Sequence, residues 1–167
     1  KYSAPADLAS ATTYTFTYSV SDGSLTDTGM ATIDVTTVND APVAADSAIT
    51  VAEESTGTSL GLVAPTDVDN AGLTITVTAL PSAGTVTLAD GTTVVTNGQT
   101  LTAAELAGLR YSAPADLASA TAYTFTYAVT DGTLTDTGTA TINVTTVNDA
   151  PVAADSAITV AEESTGT

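Results

Sequence analysis

The chain has 167 residues, 43% of them apolar, and nineteen acidic residues against Lys1 and Arg110 alone, a net charge of −17. Such a surface repels phosphate, which argues against nucleic acid and anionic membranes as partners, while the apolar content separates the chain from disordered acidic segments. The absence of His, Cys and Trp excludes histidine triads, thiol nucleophiles, His-bearing zinc sites and disulfide staples.

The elements read as short strands throughout. Ala31–Thr37 is a strand, and it runs into Val38-Asn-Asp-Ala-Pro-Val43, whose proline fixes φ and cannot donate to a ladder, so that string is a stiff connector. Strands are then expected at Ser47–Ala52 and Ser59–Val63. From Leu73 to Ala79 apolar residues alternate with threonines, one face buried and one wet. Gly84–Leu88, Thr92–Val95 and the stretch around Leu109–Tyr111 follow as shorter strands.

Between them, Thr102-Ala-Ala-Glu105 has the spacing of a capping box, with Gly108 to close one helical turn. Tyr123, Phe125, Tyr127 and Val129 form the next inward row, and Ala140, Ile142 and Val144 the last. Asp22-Gly23, Asp90-Gly91 and Asp131-Gly132 tolerate positive φ and are expected at tight hairpin turns. Seven or more strands with one helical turn predict an all-β fold, an antiparallel sandwich of immunoglobulin-like kind. The aromatic residues fall mainly on inward strand positions, so few should be exposed.

The strands repeat. Residues 1–58 recur at 110–167 with a uniform offset of 109, and seven positions differ: Lys1/Arg110, Thr13/Ala122, Ser19/Ala128, Ser21/Thr130, Ser24/Thr133, Met30/Thr139 and Asp34/Asn143. A fixed period of one domain's length marks a tandem array, and the chain is expected to be a window onto a longer one. Boundaries at the connectors divide it into 1–40, the back part of one unit; 41–149, a whole unit; and 150–167, the opening of a third. The first fragment should carry unpaired strand edges, and so be less stable than the whole unit or assemble end to end with other molecules.

The remaining chemistry is oxygen. Asp67-Val-Asp69-Asn70 precedes a strand, and residues two apart in extended chain project to the same side, so both carboxylates can reach one cation. Asn39-Asp40 and Asn148-Asp149 lie in the connectors, and Glu53-Glu54 end the first strand of the unit. Ca²⁺ takes six to eight hard oxygens of these kinds. The same residue types are also favoured in solvated turns, so an isolated Asp-x-Asp is not by itself a site. The spacing of an EF-hand loop is absent. A carboxylate pair could hydrolyse sugars, but the exposed aromatic platforms of a sugar cleft are not expected, and the chain reads as no enzyme.

The strand Ala31–Thr37 followed by Val38-Asn-Asp-Ala-Pro-Val43, with Val51-Ala-Glu53, Thr66-Asp67-Val-Asp69-Asn70 and Tyr123-Thr-Phe-Thr-Tyr-Ala-Val-Thr-Asp131-Gly132 in that order, resembles a bacterial cadherin-like repeat. Such repeats build the extender regions of giant secreted adhesins of the repeats-in-toxin type. The resemblance implies sandwiches strung end to end with Ca²⁺ clamping each junction, so the partners are adjacent repeats of the same polypeptide, with no membrane insertion. It implies that the internal junction draws on Asn39 and Asp40 from the connector, Asp67, Asp69, Asn70 and Asp131 from the whole unit, and Asp7 from the preceding one. The second junction would use Glu53, with Glu54 as a further candidate, Asp116, Asn148 and Asp149, while Asp22 would face a junction upstream. The connector departs from that of eukaryotic cadherins, with Thr37 or Val38 and Ala41 in place of further polar ligands. Glu54, Asp27, Asp90, Asp136 and Glu105 read as surface or turn residues. The implied function is that of a calcium-rigidified extender on a bacterial cell surface; the alternative is a lectin-like, ligand-binding adhesion module.

Overall fold

A computed structural model describes residues 1–163, and ten strands with one five-residue helix account for its regular structure. In chain order these are β1 (Thr12–Ser21), β2 (Thr26–Val35), β3 (Ser47–Ala52), β4 (Thr58–Ser59), β5 (Thr74–Ala79), β6 (Thr85–Thr87), β7 (Thr100–Leu101), α1 (Ala103–Ala107), β8 (Arg110–Ser112), β9 (Thr121–Thr130) and β10 (Thr135–Thr145). Strands β3-β10-β9-β5-β7 form one sheet and β4-β8-β6 a second. The inward residues of both meet in one apolar core, in which Ile75, Val77, Phe125, Tyr127, Val129 and Ile142 of the first sheet are buried with Val86 and Tyr111 of the second. Leu60, Leu106 and Leu109, from the loops and α1, fill the same core. Two sheets packed over a shared interior make the immunoglobulin-like sandwich.

The five-stranded sheet is not wholly antiparallel, because β3 lies parallel to β10 with Ile49 opposite Ile142 and Val51 opposite Val144. Alternation decides which side chains enter the core: Tyr123, Phe125, Tyr127 and Val129 are buried while Thr124 is exposed. The Tyr127 ring lies across the strand pair against Gly138, where a Cβ would overlap it, and its hydroxyl donates to the Ala45 carbonyl at 2.8 Å. That bond fastens the segment entering β3 to the centre of the sheet. Helix α1 has the anticipated capping box: Thr102 Oγ1 accepts from the Glu105 N–H at 3.2 Å, and Glu105 Oε2 accepts from the Thr102 N–H at 2.7 Å. Gly108 ends it in right-handed rather than left-handed conformation, donating back to the Ala104 and Glu105 carbonyls.

Several short elements differ from expectation. The strand expected at Ser59–Val63 is limited to Thr58–Ser59, and Thr92–Val95 contributes only an isolated bridge between Val94 and Thr87. Both lie at the margin of the small sheet. The Asp-Gly turns are not two-residue hairpins. Only the glycine takes positive φ, 97° at Gly23 and 98° at Gly132. The aspartate instead turns its carboxylate onto the chain ahead: Asp131 Oδ1 accepts from the Thr133 and Leu134 N–H groups, both at 2.7 Å. The result is a wider loop held by a side chain.

Strands β1 and β2 pair only with each other. They are the repeat counterparts of β9 and β10, yet Phe16, Tyr18 and Val20 are 55%, 51% and 62% exposed where Phe125, Tyr127 and Val129 are fully buried. One sequence pattern thus adopts one local structure in both places, with its core side covered in only one of them. The expectation of few exposed aromatics holds within 41–149 and fails at Tyr2, Phe16 and Tyr18.

Candidate metal centre

The connector at 38–43 meets the loop before β5 and the turn between β9 and β10. Asn39 Nδ2 donates to Asp131 Oδ2 at 2.6 Å, and the Asp40 N–H donates to Asp69 Oδ2 at 3.3 Å. Asn70 Nδ2 donates to the Asp131 carbonyl at 3.2 Å. Within the loop, Asp67 Oδ1 accepts from the Asp69 and Asn70 N–H groups at 3.0 and 2.9 Å, a side-chain turn that folds the Asp-x-Asp back on itself. Asn39, Asp40, Asp67, Asp69, Asn70 and Asp131 are therefore drawn into one network, although the sequence separates the outer two by 92 residues.

The electrostatics of this network are unbalanced. Asp67 Oδ2 and Asp69 Oδ1 are sealed from solvent and have no hydrogen-bond partner. The facing Asp67 carboxylate raises the pKa of Asp69, and desolvation raises it further. Asp131 behaves oppositely: the Leu134 N–H, then the Asn39 amide and the Thr133 N–H, hold its carboxyl below the usual carboxylate range. Negative charge is thus fixed at Asp131 and frustrated at Asp69, and the orphaned oxygens lack a positive partner.

Asp7 lies apart from these bonds. It adopts left-handed φ, 55°, and lines a cleft with Leu8, Val35, Val38 and Asp40. Its repeat counterpart Asp116 takes the same conformation, φ 54°, at the other end of the whole unit. There the carboxylate oxygens of Glu54, Asp116 and Asp149 lie within 4.8 Å of one another, all three side chains exposed. Asp116 and Asp149 are the repeat equivalents of Asp7 and Asp40, so the two connectors present the same acidic pair twice.

Glu53, expected among the ligands of this second junction, is engaged by two backbone N–H groups. It is buried, with Oε1 accepting from the Val147 N–H and Oε2 from the Leu117 N–H, both at 2.5 Å. The carboxylate pins the connector and the loop at 113–120 beside Glu54, and so positions Asp116 and Asp149 against it. Asn148 follows the pinned Val147 and donates from Nδ2 to the Asp149 carbonyl at 3.4 Å. Glu54, a further candidate for this junction and otherwise read as a surface residue, stands in the cluster. The signal lay in the alternation: Val51 and Glu53 are two apart and share the inward face, leaving Glu54 to turn outward with φ 64°. Asp136, also read as a turn residue, ties the unit's entry, its Oδ2 accepting from the Ala44 N–H at 2.8 Å.

Every candidate donor at both places is a carboxylate, amide or backbone oxygen. That set suits a hard cation, and the orphaned oxygens of Asp67 and Asp69 are where positive charge would relieve the greatest strain. No helix among the described residues is long and apolar enough to cross a membrane.

The family model of the bacterial Ig domain matches residues 39–145, well over half of the chain, and the chain belongs to that family. No curated protein is similar enough to match. Among solved structures, an endo-fucoidan hydrolase from glycoside hydrolase family 107 aligns at 22% identity over 84% of this chain and 20% of its own, with a TM-score of 0.37. The chain spans about a fifth of the length of that enzyme, and so loose a likeness carries no argument about activity.

Proposed function

We propose that this chain is a structural extender: tandem Ig-like units of a large bacterial surface adhesin, rigidified by Ca²⁺ at the connectors, holding a distal adhesive domain away from the cell. The observation that carries the reading is the pair of solvent-sealed, partnerless oxygens on Asp67 and Asp69 beside the connector residues Asn39 and Asp40. A cation there would bond two units at once, because Asp40 belongs to the connector while Asp67, Asp69 and Asp131 belong to the sandwich that follows it. The division into 1–40, 41–149 and 150–167 is part of the same proposal. Asn39, Asp40, Asp67, Asp69, Asn70 and Asp131, with Asp7 nearby, would hold the ion at the first connector. Glu54, Asp116 and Asp149 would hold one at the second, positioned by Glu53 and Asn148. When bound, Ca²⁺ supplies charge neutralisation and a cross-link; the chain's own residues set the angle between units.

Tandem near-identity supports a mechanical role, since a spacer gains from copies and a specialised pocket does not. The exposed Phe16 and Tyr18 do not favour the lectin-like alternative, because their counterparts are core residues rather than a sugar platform. The test is a calcium titration of the 167-residue chain, read by scattering and by melting temperature, then repeated in chelator. A longer, stiffer and more heat-resistant particle in calcium is expected. An unchanged profile and melting temperature would reject the clamp.

A further inference from the structure

Strands β3 and β10 open and close the whole unit, and they lie side by side and parallel. Tension along the chain therefore enters the unit at the start of β3 and leaves it at the end of β10. Parallel neighbours pulled in this way slide past each other, so the ladder bonds are loaded together rather than one after another. The ladder runs from Ser47 opposite Ala140 to Ala52 opposite Thr145, and the Glu53 N–H extends it with a bond to the Thr145 carbonyl at 2.9 Å. Ahead of it the entering chain is tied down three times. The Ala44 N–H donates to Asp136 Oδ2 at 2.8 Å, the Tyr127 hydroxyl donates to the Ala45 carbonyl at 2.8 Å, and the Thr139 N–H donates to Asp46 Oδ1 at 2.7 Å.

We propose that the β3–β10 pair is the load-bearing seam of the unit, and that Glu53 is the latch that stops it sliding under tension. Alternation alone does not hold the register, because a slip of two residues keeps Ile49 and Val51 on the same face. Such a slip toward the entrance carries Glu53 into the place of Val51, opposite Val144, where both valines are buried. The carboxylate would then lose the Val147 and Leu117 N–H groups and enter the apolar core unpaired, which is strongly unfavourable. Val147 lies just beyond β10 and moves with it, so its bond to Glu53 Oε1 joins the trailing ends of the two strands. Leu117, between β8 and β9, ties the same carboxylate to the body of the sandwich.

The seam rests on the extender reading only for the direction of the load. It lies within one unit, whereas the proposed clamp joins one unit to the next. Its latch is held by backbone N–H groups and needs no cation, so it is tested in chelator and stands or falls separately from the clamp.

The experiment holds the full 167-residue chain at constant force in chelator and reads the lifetime of the unit. Because the chain lacks cysteine, introduced cysteines choose the direction of pull. Ala41→Cys with Ala150→Cys shears the seam. Ala41→Cys with Thr133→Cys, in the turn before β10, pulls both strands from the same end and peels them apart one bond at a time. At equal force the sheared unit should outlast the peeled one by at least about tenfold, since several ladder bonds must break together. Glu53→Gln should shorten the sheared lifetime by about tenfold or more, because forced unfolding follows the unfolding rate. It should leave the peeled lifetime within about twofold, because Glu53 lies at the far end of the ladder and is reached last. Equal lifetimes in the two directions overturn the seam, and this comparison on the parent holds even if Glu53→Gln fails to fold. A Glu53→Gln chain that loses lifetime equally in both directions, or in neither, overturns the latch.

Discussion

Phe16 and Phe125 hold the same place in two copies of one hairpin, yet Phe16 is 55% exposed and Phe125 is wholly buried. The pair forms an internal control on what packing contributes, because propensity, turn and cross-strand pairing are shared. Phe125→Ala should cost about 3–5 kcal/mol, the usual loss for emptying an aromatic site in a core. Phe16→Ala should cost no more than about 0.5 kcal/mol, as surface substitutions do. Urea unfolding of the two variants measures both. Equal losses would mean that the first hairpin is packed in solution.

Glu53 supports the second connector through two short hydrogen bonds to backbone N–H groups. Glu53→Gln keeps the shape but turns an amide donor toward one of those N–H groups, so a loss of about 2–4 kcal/mol is expected. Glu54→Gln, one residue on and exposed, should leave metal-free stability nearly unchanged. Denaturant melts in chelator, compared with hydrogen exchange at Leu117 and Val147, separate the two. If Glu53→Gln melts like the parent with both amides still protected, the brace is not formed.

Sequence pattern made the sandwich, the capping box at Thr102 and Glu105, and the grouping of Asp67 with Asp69 legible, because each rests on spacing along a few residues. The parallel seat of β3 against β10 was not, since periodicity marks a strand without naming its neighbour or direction. The hydrogen bonds of Glu53 were not legible for a related reason. A carboxylate two residues past a buried valine looks the same on paper whether it faces a cation or two amides contributed by segments 64 and 94 residues away.

Acid should act on this fold partly through Asp90. The Thr93 hydroxyl, followed by the Thr93 and Thr92 N–H groups, lowers its pKa from 3.8 to about 2. The folded pKa lies below the unfolded one, so the unfolded chain binds more protons in that window, and Asp90's contribution is full above pH 3.8 and fades as pH falls through about 2. Asp69 has the opposite sign, its raised pKa favouring the folded state as it protonates. Thermal melts of Asp90→Asn across this range should show a shallower acid loss than the parent. A steeper or identical slope would contradict the hydrogen bonds at Thr92 and Thr93.

The decisive substitution is at Asp67 and Asp69, because the clamp and a simple structural role predict different signs. In chelator the two carboxylates face each other with sealed, partnerless oxygens, so Asp67→Asn with Asp69→Asn removes repulsion and supplies donors. Metal-free stability should therefore rise. In calcium the parent gains RT ln(1 + [L]/Kd), about 2.7 kcal/mol when the ion is at roughly a hundred times its Kd, and the variant gains little. The melting curves of the two proteins should cross over between chelator and saturating calcium, a reversal that a generally damaging substitution cannot produce. A variant less stable than the parent in both conditions, by the same amount, would show that the aspartates only cap their loop. A parent indifferent to calcium would show that charge at the connector is relieved by protons or monovalent ions instead.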